Sequence, residues 1–471
     1  MSGVIGMSGM ENRARRTWVL GGSLVGCLVL GGALMLLPPE RPTGPRPAPG
    51  PAAAQARAAV TGGVPAALGD LAALIDDRQA YLRQHPRDAG AWAVLGAAYV
   101  EQGRRTGDPA AHYPKAEEAL RRSLRARAHG NAAALEGLAA LANARRDFRA
   151  GRTWARAASA ADGARWTSYA LLVDACTGLG DHEGAGRALE RMLELDGSPA
   201  ARARAAGGFR DQGRREDAAA ALADAAAGAR APAERAAWLE RAGQLAWERG
   251  DREGALRYFQ EAVRVDPDQR AAQAGQGRAL AALGRTSEAL SAYRIALAKQ
   301  PLPGYALELG ELYESLGLDH AARVQYDLLR ERVRGAAAGG VDEDLVLGRF
   351  EADHGDADAA VRRLRAEWRR QPGTEVADAL AWALHRAGDD EEALRFAVRA
   401  MDPERGGGVR SAPYAYHRGM IERALGRDAP ARRHLREALR INPYFSPLAV
   451  PSARKALAEL GEVPVDEEVP E

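Results

Sequence analysis

This sequence is short of the residues that covalent stabilisation and catalysis usually need. Two cysteines in 471 residues, Cys27 and Cys176, cannot build a disulfide framework. Segments in which Val, Ile and Thr alternate with polar residues are scarce, so the sequence predicts no β-sheet. It also lacks a GxxxxGK(S/T) phosphate loop, a GxSxG nucleophile elbow and an HExxH zinc motif. We therefore expect no enzyme, no catalytic residue, no cofactor and no metal site.

An excess of one charge is missing as well. The 65 basic and 63 acidic residues give a formal net charge of +2, which is too balanced for a nucleic-acid-binding surface. Lysine is almost absent, since it occurs only at positions 115, 299 and 455. This preference for arginine is typical of a GC-rich coding sequence and favours a bacterial source.

Ala, Leu, Arg and Glu are abundant, and they favour helices because their side chains lose little rotamer freedom on a helical backbone. In this background, small residues and rings recur at intervals of 33 or 34 residues. A glycine is followed five residues later by an alanine and four further on by a large ring, in three units: Gly250, Ala255 and Phe259; Gly284, Ala289 and Tyr293; Gly317, Ala322 and Tyr326. A fixed period of this length indicates a stacked array of helix pairs.

Each unit has the pattern of two antiparallel helices. The first carries apolar and small residues at helical spacing, as in Trp92, Leu95, Gly96 and Tyr99. The second has alanines around a bulky residue, and a proline such as Pro267 stops it. Small residues are expected where paired helices approach closely, because a larger side chain would push them apart.

This combination resembles the tetratricopeptide repeat family. Two successive units carry seven residues of the family pattern each: Gly243, Ala246, Gly250, Ala255, Phe259, Ala262 and Pro267, then Gly277, Leu280, Gly284, Ala289, Tyr293, Ala296 and Pro301. Fainter units in the same phase extend the array to about ten, from residue 89 to residue 443. The resemblance implies an all-α, right-handed solenoid at 65–461, with an N-terminal helix at 66–84 and a capping helix at 452–460.

In this family the first helices of the pairs line a concave groove that receives peptides or partner helices. The resemblance places eight candidate partner-binding residues in that groove: Trp247, Arg278, Glu311, Glu314, Arg349, Trp382, His385 and Arg423. Two indoles with charges of both signs suit peptide recognition. The chaperone-binding type of the family holds a terminal carboxylate with inward Asn and Lys or Arg. Because the corresponding positions here are Ala97, Asp174, Gln244 and Arg278, without Asn, that partner class is disfavoured.

The N-terminal part contains the longest uncharged apolar run. Residues 18–37 are long enough, at about 1.5 Å per residue, to cross a hydrocarbon core. We predict a cytoplasmic segment at 1–16, an uncleaved transmembrane signal anchor at 17–37 and a Pro/Ala-rich linker at 38–64, which is expected to be stiff and extended at 38–51. Three arginines between positions 13 and 16 favour an orientation with the repeats outside the cytoplasm.

Other interpretations of the termini stay open. Residues 24–27 look like a lipobox, which would make Cys27 a lipidation site. Arginines 15 and 16 faintly resemble a twin-arginine export signal. The last ten residues, 462–471, hold five acids and no base, and we predict a disordered acidic tail there.

The sequence therefore predicts a membrane-anchored adaptor or scaffold that binds a protein or peptide partner, with no nucleic acid and no small-molecule substrate. Two alternatives remain: a self-associating structural organiser, and an accessory subunit of a membrane enzyme, transporter or secretion assembly. Acidic clusters at 353–358 and 389–392 fall at the turns between paired helices, where carboxylates favour the start of the second helix. We therefore interpret them as structural and not as metal ligands.

Overall fold

A computed structural model describes residues 50–403 and 408–461 of the chain. These residues form α-helices joined by short connections, with no strand among them. The helices are α1 Pro51–Thr61, α2 Leu68–Gln84, α3 Ala89–Thr106, α4 Pro109–Ala126, α5 Ala132–Ala144, α6 Phe148–Ala161, α7 Trp166–Gly178, α8 His182–Leu195, α9 Pro199–Asp211, α10 Arg215–Gly228, α11 Pro232–Glu248, α12 Arg252–Val265, α13 Arg270–Ala282, α14 Thr286–Lys299, α15 Pro303–Ser315, α16 Asp319–Ala338, α17 Asp344–His354, α18 Ala357–Arg370, α19 Thr374–Arg386, α20 Asp390–Ala400, α21 Ala412–Ala424, α22 Asp428–Ile441 and α23 Ala449–Glu459.

Ten consecutive helix pairs, from α3/α4 to α21/α22, make up the array. The two helices of each pair contact each other, and each pair packs on the next. The hairpin α1/α2 precedes the array, and α23 packs on its last pair. The predicted all-helical solenoid is therefore confirmed for the described residues.

The recurring glycine ends one helix and allows the next to begin. After α11, Gly250 adopts a left-handed backbone with φ of 80°, which only glycine adopts without strain. The next amide, of Asp251, donates to the carbonyl of Ala246 at 3.0 Å, which closes the end of α11. The Asp251 carboxylate then accepts from the amide of Gly254 at 2.8 Å and caps α12.

The other small residues of the repeat make room for the large ring. Phe259 of α12 is 1% exposed and lies between the first helices of two successive pairs. A Cβ atom on Gly243 would lie 2.7 Å from its ring, and one on Gly275 would lie 2.5 Å from it. Both distances are far below van der Waals contact, so the close packing of ring and backbone requires glycine at these two positions.

The array coils back on itself after five pairs. We call the pairs α3/α4 to α11/α12 the first coil and the pairs α13/α14 to α21/α22 the second coil. The hairpin turns within pairs of the first coil lie against the loops between pairs of the second coil, and we call this contact the seam. Three of its hydrogen bonds join residues 194 to 196 positions apart: Arg145 Nε to the Gly339 carbonyl, Gln300 Nε2 to the Arg104 carbonyl and Asn442 Nδ2 to the Trp247 carbonyl, each 2.8 Å long.

A buried ion pair belongs to the same seam. Arg105, at the end of α3, donates to Asp266 Oδ2 at 2.7 Å and to the carbonyl of Ala66 at 2.8 Å. Only 5% of the Arg105 side chain and 10% of the Asp266 side chain are exposed. One guanidinium therefore joins the α1–α2 connection, the first coil and the loop that opens the second coil.

The predicted linker at 38–64 contains a helix in its second half, which corrects the prediction for this part of the chain. Residues Pro51–Thr61 form helix α1, whose alanines Ala53, Ala56 and Ala59 are buried. Proline is compatible with the first turn of a helix, where its missing N–H would have no intrahelical acceptor. The alanines at intervals of three then let α1 pack closely on α2 and α3. The high proline content of this region favoured the prediction of a linker over that of a helix.

Several predictions fall outside the described residues. These are the cytoplasmic segment at 1–16, the transmembrane anchor at 17–37, the lipidation site at Cys27 and the acidic tail at 462–471. Among residues 50–403 and 408–461, every helix is too short or too polar to span a bilayer.

Candidate binding surface inside the coils

The first helices of the pairs line the inside of the coils, where they surround a cavity that is partly open to solvent. This inner cavity has a volume of about 530 Å³. Its walls come from α3, α5, α7, α9 and α11, from the start of α13, and from the connection between α1 and α2. Small apolar side chains such as Ala93, Ala97, Ala140 and Ala170 form much of the wall, with charged side chains between them. The cavity is thus a mixed apolar and charged site inside a helical array.

Most charges in the inner cavity are paired, and two of the pairs join neighbouring pairs of the array. Glu136 of α5 accepts from Arg165 Nε at 3.0 Å and from the hydroxyls of Thr167 and Ser168 at 2.6 and 2.7 Å. Arg204 of α9 donates to Asp174 of α7 at 2.6 Å. These carboxylates have partners that satisfy them, so they brace adjacent helix pairs.

Two adjacent residues of α11, Glu240 and Arg241, line the cavity without such partners. Neither forms an ion pair or a hydrogen bond with another described residue. The guanidinium of Arg241 lies 5.2 Å from the ring centroid of Trp238, and burial together with the charge of Arg204 lowers its pKa to about 10. Burial also raises the pKa of Glu240 above its ordinary value. Both groups therefore lie in a site that disfavours their charge.

Sequence reasoning missed this pair for an identifiable reason. The family pattern directed attention to two positions of each first helix, which on α11 are Gln244 and Trp247. Glu240 precedes Gln244 by one helical turn and therefore lies on the same face. A search of that face one turn further toward the N-terminus would have found Glu240 and the neighbouring Arg241.

The two tryptophans predicted to lie in the groove are buried. Trp247 is 7% exposed, and its carbonyl accepts from Asn442 across the seam. Trp382 is also 7% exposed; its Nε1 donates to Asp353 at 2.9 Å and its ring stacks on His417 at 4.5 Å. Both rings therefore offer little surface to a partner, and that of Trp382 packs against Tyr416 and His417 of the neighbouring first helix.

Three of the predicted charged residues take part in networks between first helices. Arg278 of α13 donates to both carboxylate oxygens of Glu308 at 2.8 and 3.1 Å and to Gln244 at 2.6 Å. Although burial opposes its charge, Glu308 raises the pKa of Arg278 above its ordinary value. Glu311 and Glu314 of α15 approach His354 at 3.6 and 3.2 Å. These side chains are half-buried and already have partners within the array.

The remaining predicted residues are separated from one another along the second coil. Arg349 of α17 is half-exposed and lies 3.8 Å from Glu375 of α19. Although burial acts in the opposite direction, Arg349, Arg146 and Arg210 lower the pKa of Glu375, so charges of both coils act on the same interior. His385 pairs with Asp390 of its own helix pair, and Arg423 pairs with Glu459 of the terminal helix α23. The eight predicted residues therefore form several local pairs and not one cluster.

Carboxylates come together at one further place, beside the seam. Oxygen atoms of Asp342, Asp344 and Glu367 lie within 4.8 Å of one another, a spacing that suits a cation. The guanidinium of Arg370 contacts all three side chains. Because this arginine already supplies the positive charge, the cluster is a salt-bridge network. The acids at the hairpin turns, Asp356 and Asp389, cap the helices that follow them, as predicted.

Comparison with known proteins identifies the repeat. The family model of the tetratricopeptide repeat matches residues 241–306 and 275–336, so this part of the chain carries tetratricopeptide repeats, as predicted. No curated protein matches the sequence.

Three solved structures illustrate the similarity of fold. The Cut9–Hcn1 hetero-tetramer of APC/C is 15% identical, with a TM-score of 0.40 over 83% of this chain and 82% of that chain. PilF of Pseudomonas aeruginosa is 18% identical, with a TM-score of 0.35 over 44% of this chain and 94% of that chain. MamA is 20% identical, with a TM-score of 0.29 over 35% of this chain and 96% of that chain. These similarities are too low to transfer a partner or an activity.

Proposed function

We propose that this protein is a membrane-anchored scaffold that binds a protein or peptide partner on the inner surface of its coils. The observation that carries the proposal is the inner cavity, where charged side chains face a partly open space that the packing of the repeats does not fill. Repeat arrays use such concave surfaces for binding. The pairing of most interior charges also favours a binding surface over a catalytic centre.

The balance of charge inside the cavity favours a peptide over a nucleic acid. The cavity is lined by five arginines and five carboxylates. A phosphate backbone would meet as many negative as positive groups there, and affinity for nucleic acid depends on an excess of positive charge. A peptide can present donors, acceptors and apolar groups in turn, which matches this lining.

We further propose that residues 17–37 anchor the protein in the cell membrane and that the repeats lie outside the cytoplasm. The support is the length of the uncharged run and the arginines that precede it. A topology reporter fused after Gly461 tests the orientation. Activity of a periplasmic reporter at that position supports the proposal, and activity of only a cytoplasmic reporter overturns it. A Cys27→Ala variant that loses membrane association would favour lipidation instead.

Site-specific photo-crosslinking in the native host tests binding on the inner surface. A benzoylphenylalanine at Arg349, on first helix α17, is compared with the same probe at Arg257 of α12 and Arg433 of α22, which are exposed on second helices. We expect a discrete crosslinked partner from position 349 and none from the two control positions. The same partner crosslinked only from positions 257 and 433 would show that binding occurs on the outer surface.

A further inference from the structure

Arg241 differs from the other arginines of the inner cavity because it has no carboxylate partner. Each of the others contacts a carboxylate of a described residue: Arg104 to Glu101, Arg105 to Asp266, Arg165 to Glu136 and Arg204 to Asp174. Arg241 is partly buried, and its guanidinium lies 5.2 Å from the ring centroid of Trp238. A partly buried cation without a hydrogen-bonded anion is costly, so such a site favours an anionic ligand.

The adjacent carboxylate does not contact Arg241. Successive residues of a helix point about 100° apart, so Glu240 and Arg241 act on each other through their charges without a hydrogen bond or a close ion pair. Burial and the charges of Arg204 and Arg104 lower the pKa of Arg241, and the charges of Glu240 and Asp174 offset this only in part. With a pKa of about 10, the guanidinium still carries its charge at neutral pH. The site thus presents one unpaired cation and, beside it, one unpaired acceptor.

A third group at the same site lacks a partner. Trp238 lines the cavity and is 1% exposed, and its indole Nε1 has no acceptor among the described residues. Buried indole N–H groups usually find a partner. A carboxylate that binds beside Arg241 would approach an arginine and an indole that are in mutual contact.

The rest of the wall restricts the kind of anion. Ala93, Val94, Ala97 and Leu171 are apolar, and the cavity volume of about 530 Å³ suits a few amino-acid residues. A phosphate group would lie near the cavity's five carboxylates. A fatty acid would leave Glu240 without a donor. A peptide has backbone N–H groups for Glu240, a carboxylate for Arg241 and apolar side chains for the wall.

We propose that the inner cavity binds an acidic peptide segment, whose carboxylate pairs with Arg241 while its backbone N–H groups donate to Glu240. This rests on the proposed function, since it names the chemistry of the partner that the inner surface takes. The carboxylate comes from an acidic side chain or from a peptide C-terminus, two sources with the same recognition chemistry.

Direct binding to the full-length protein tests this assignment. The probes are fluorescein-labelled Val-Glu-Val-amide, its Gln analogue Val-Gln-Val-amide, and Val-Gln-Val with a free C-terminal carboxylate. We expect at least one of the two carboxylate peptides to bind at least tenfold more tightly than Val-Gln-Val-amide. The peptide that does so identifies the source of the carboxylate.

Variants then assign the preference to one side chain. Arg241→Gln is expected to remove the preference for the carboxylate peptides, whereas Arg257→Gln, on the exposed face of α12, is expected to keep it. The Trp238 indole N–H resonance, identified by its loss in Trp238→Phe, should shift on binding in the wild type but not in Arg241→Gln. Because Arg241→Gln removes an unpaired, partly buried charge, its melting temperature is expected to equal or exceed that of the wild type.

Several results would overturn the assignment. Equal binding of the carboxylate and amide peptides would do so, as would no binding of either carboxylate peptide. A preference that survives in Arg241→Gln would also exclude it. If a partner is crosslinked from position 349 while these peptides show no preference, only this inference fails. If Arg241 binds the peptides while no cellular partner is crosslinked, only the proposed function fails.

Discussion

Four hairpin turns of the first coil and four of the second coil have a left-handed glycine in common but differ in their surroundings. In the first coil, Gly107, Gly180, Gly213 and Gly250 have φ between 66° and 80° and lie against loops of the second coil. In the second coil, Gly284, Gly317, Gly388 and Gly426 have φ between 69° and 87°, and a Cβ on any of them would meet no atom within 4 Å. The same glycine turn therefore connects two helices in both coils, and in the first coil it also leaves room for a loop of the second coil.

The difference separates what the repeat requires from what the seam requires. Every one of these glycines allows a helix to end and its partner to begin. Only those of the first coil must also remain small to admit a second backbone. The seam in turn helps to enclose the inner cavity, because residues of both coils, such as Trp238 and Gln300, line it. Matched substitutions in the two coils can measure how much the seam contributes to the free energy of unfolding.

The largest difference is expected between two arginine–carboxylate pairs. Arg105→Ala removes the buried seam pair and leaves Asp266 without its cation, which should cost about 3 to 5 kcal/mol in the free energy of unfolding. Arg285→Ala, which breaks the exposed pair with Glu288 at a free hairpin turn, should change stability little. Urea denaturation of both variants checks this. Equal losses in the free energy of unfolding would show that the seam pair stabilises the protein no more than an exposed pair does.

Glycine substitutions should give the next largest difference. A Cβ on Gly180 would lie 2.3 Å from the carbonyl oxygen of Pro372, whereas one on Gly388 meets only open space. Gly180→Ala combines left-handed strain with overpacking and should cost about 3 kcal/mol. Gly388→Ala carries the strain alone and should cost about 1 kcal/mol. Thermal and urea denaturation measure both, and a Gly388→Ala loss as large as that of Gly180→Ala would contradict the account.

The smallest effect on stability is expected from two histidines whose contributions change with pH in opposite directions. In the second coil, burial disfavours the charge of His354, but Glu311 and Glu314 outweigh it and raise its pKa. That contribution to stability is present below pH 6.5 and is lost as the pH rises through the raised pKa. In the first coil, burial lowers the pKa of His112, so its contribution is present above pH 6.5 and is lost as the pH falls through the lowered pKa.

Unfolding measured from pH 5 to pH 8 tests these signs. His354→Gln should flatten the loss of stability on the alkaline side of pH 6.5, and His112→Gln should flatten the loss on the acidic side. If stability depended on pH in the same way in both variants, the pKa values of the two histidines would not be shifted in opposite directions.

The sequence predicted the repeats because their causes are local and periodic. Gly250, Phe259 and their equivalents recur every 33 or 34 residues, and the contacts that require them lie within one pair or between neighbouring pairs. The capping role of Asp356 and Asp389 was equally accessible, because it depends on the next three residues.

The seam could not be predicted in the same way. Its contacts join residues 194 to 196 positions apart, and they involve backbone carbonyls, which leave no mark on the sequence. The backbone of Trp247 takes part in one of these contacts, because its carbonyl accepts from Asn442 after the last pair. Trp382 packs against rings of the neighbouring first helix, Tyr416 and His417.

The distance across the seam in solution tests the central claim most directly. Spin labels at Glu183 of α8 and Arg369 of α18, both exposed and on opposite sides of the seam, are introduced after replacement of Cys27 and Cys176. Double electron–electron resonance should give one short and narrow distance distribution, which Arg105→Ala broadens. A long or broad distribution in the otherwise unaltered protein would show that the coils are open, and the inner binding surface would not exist.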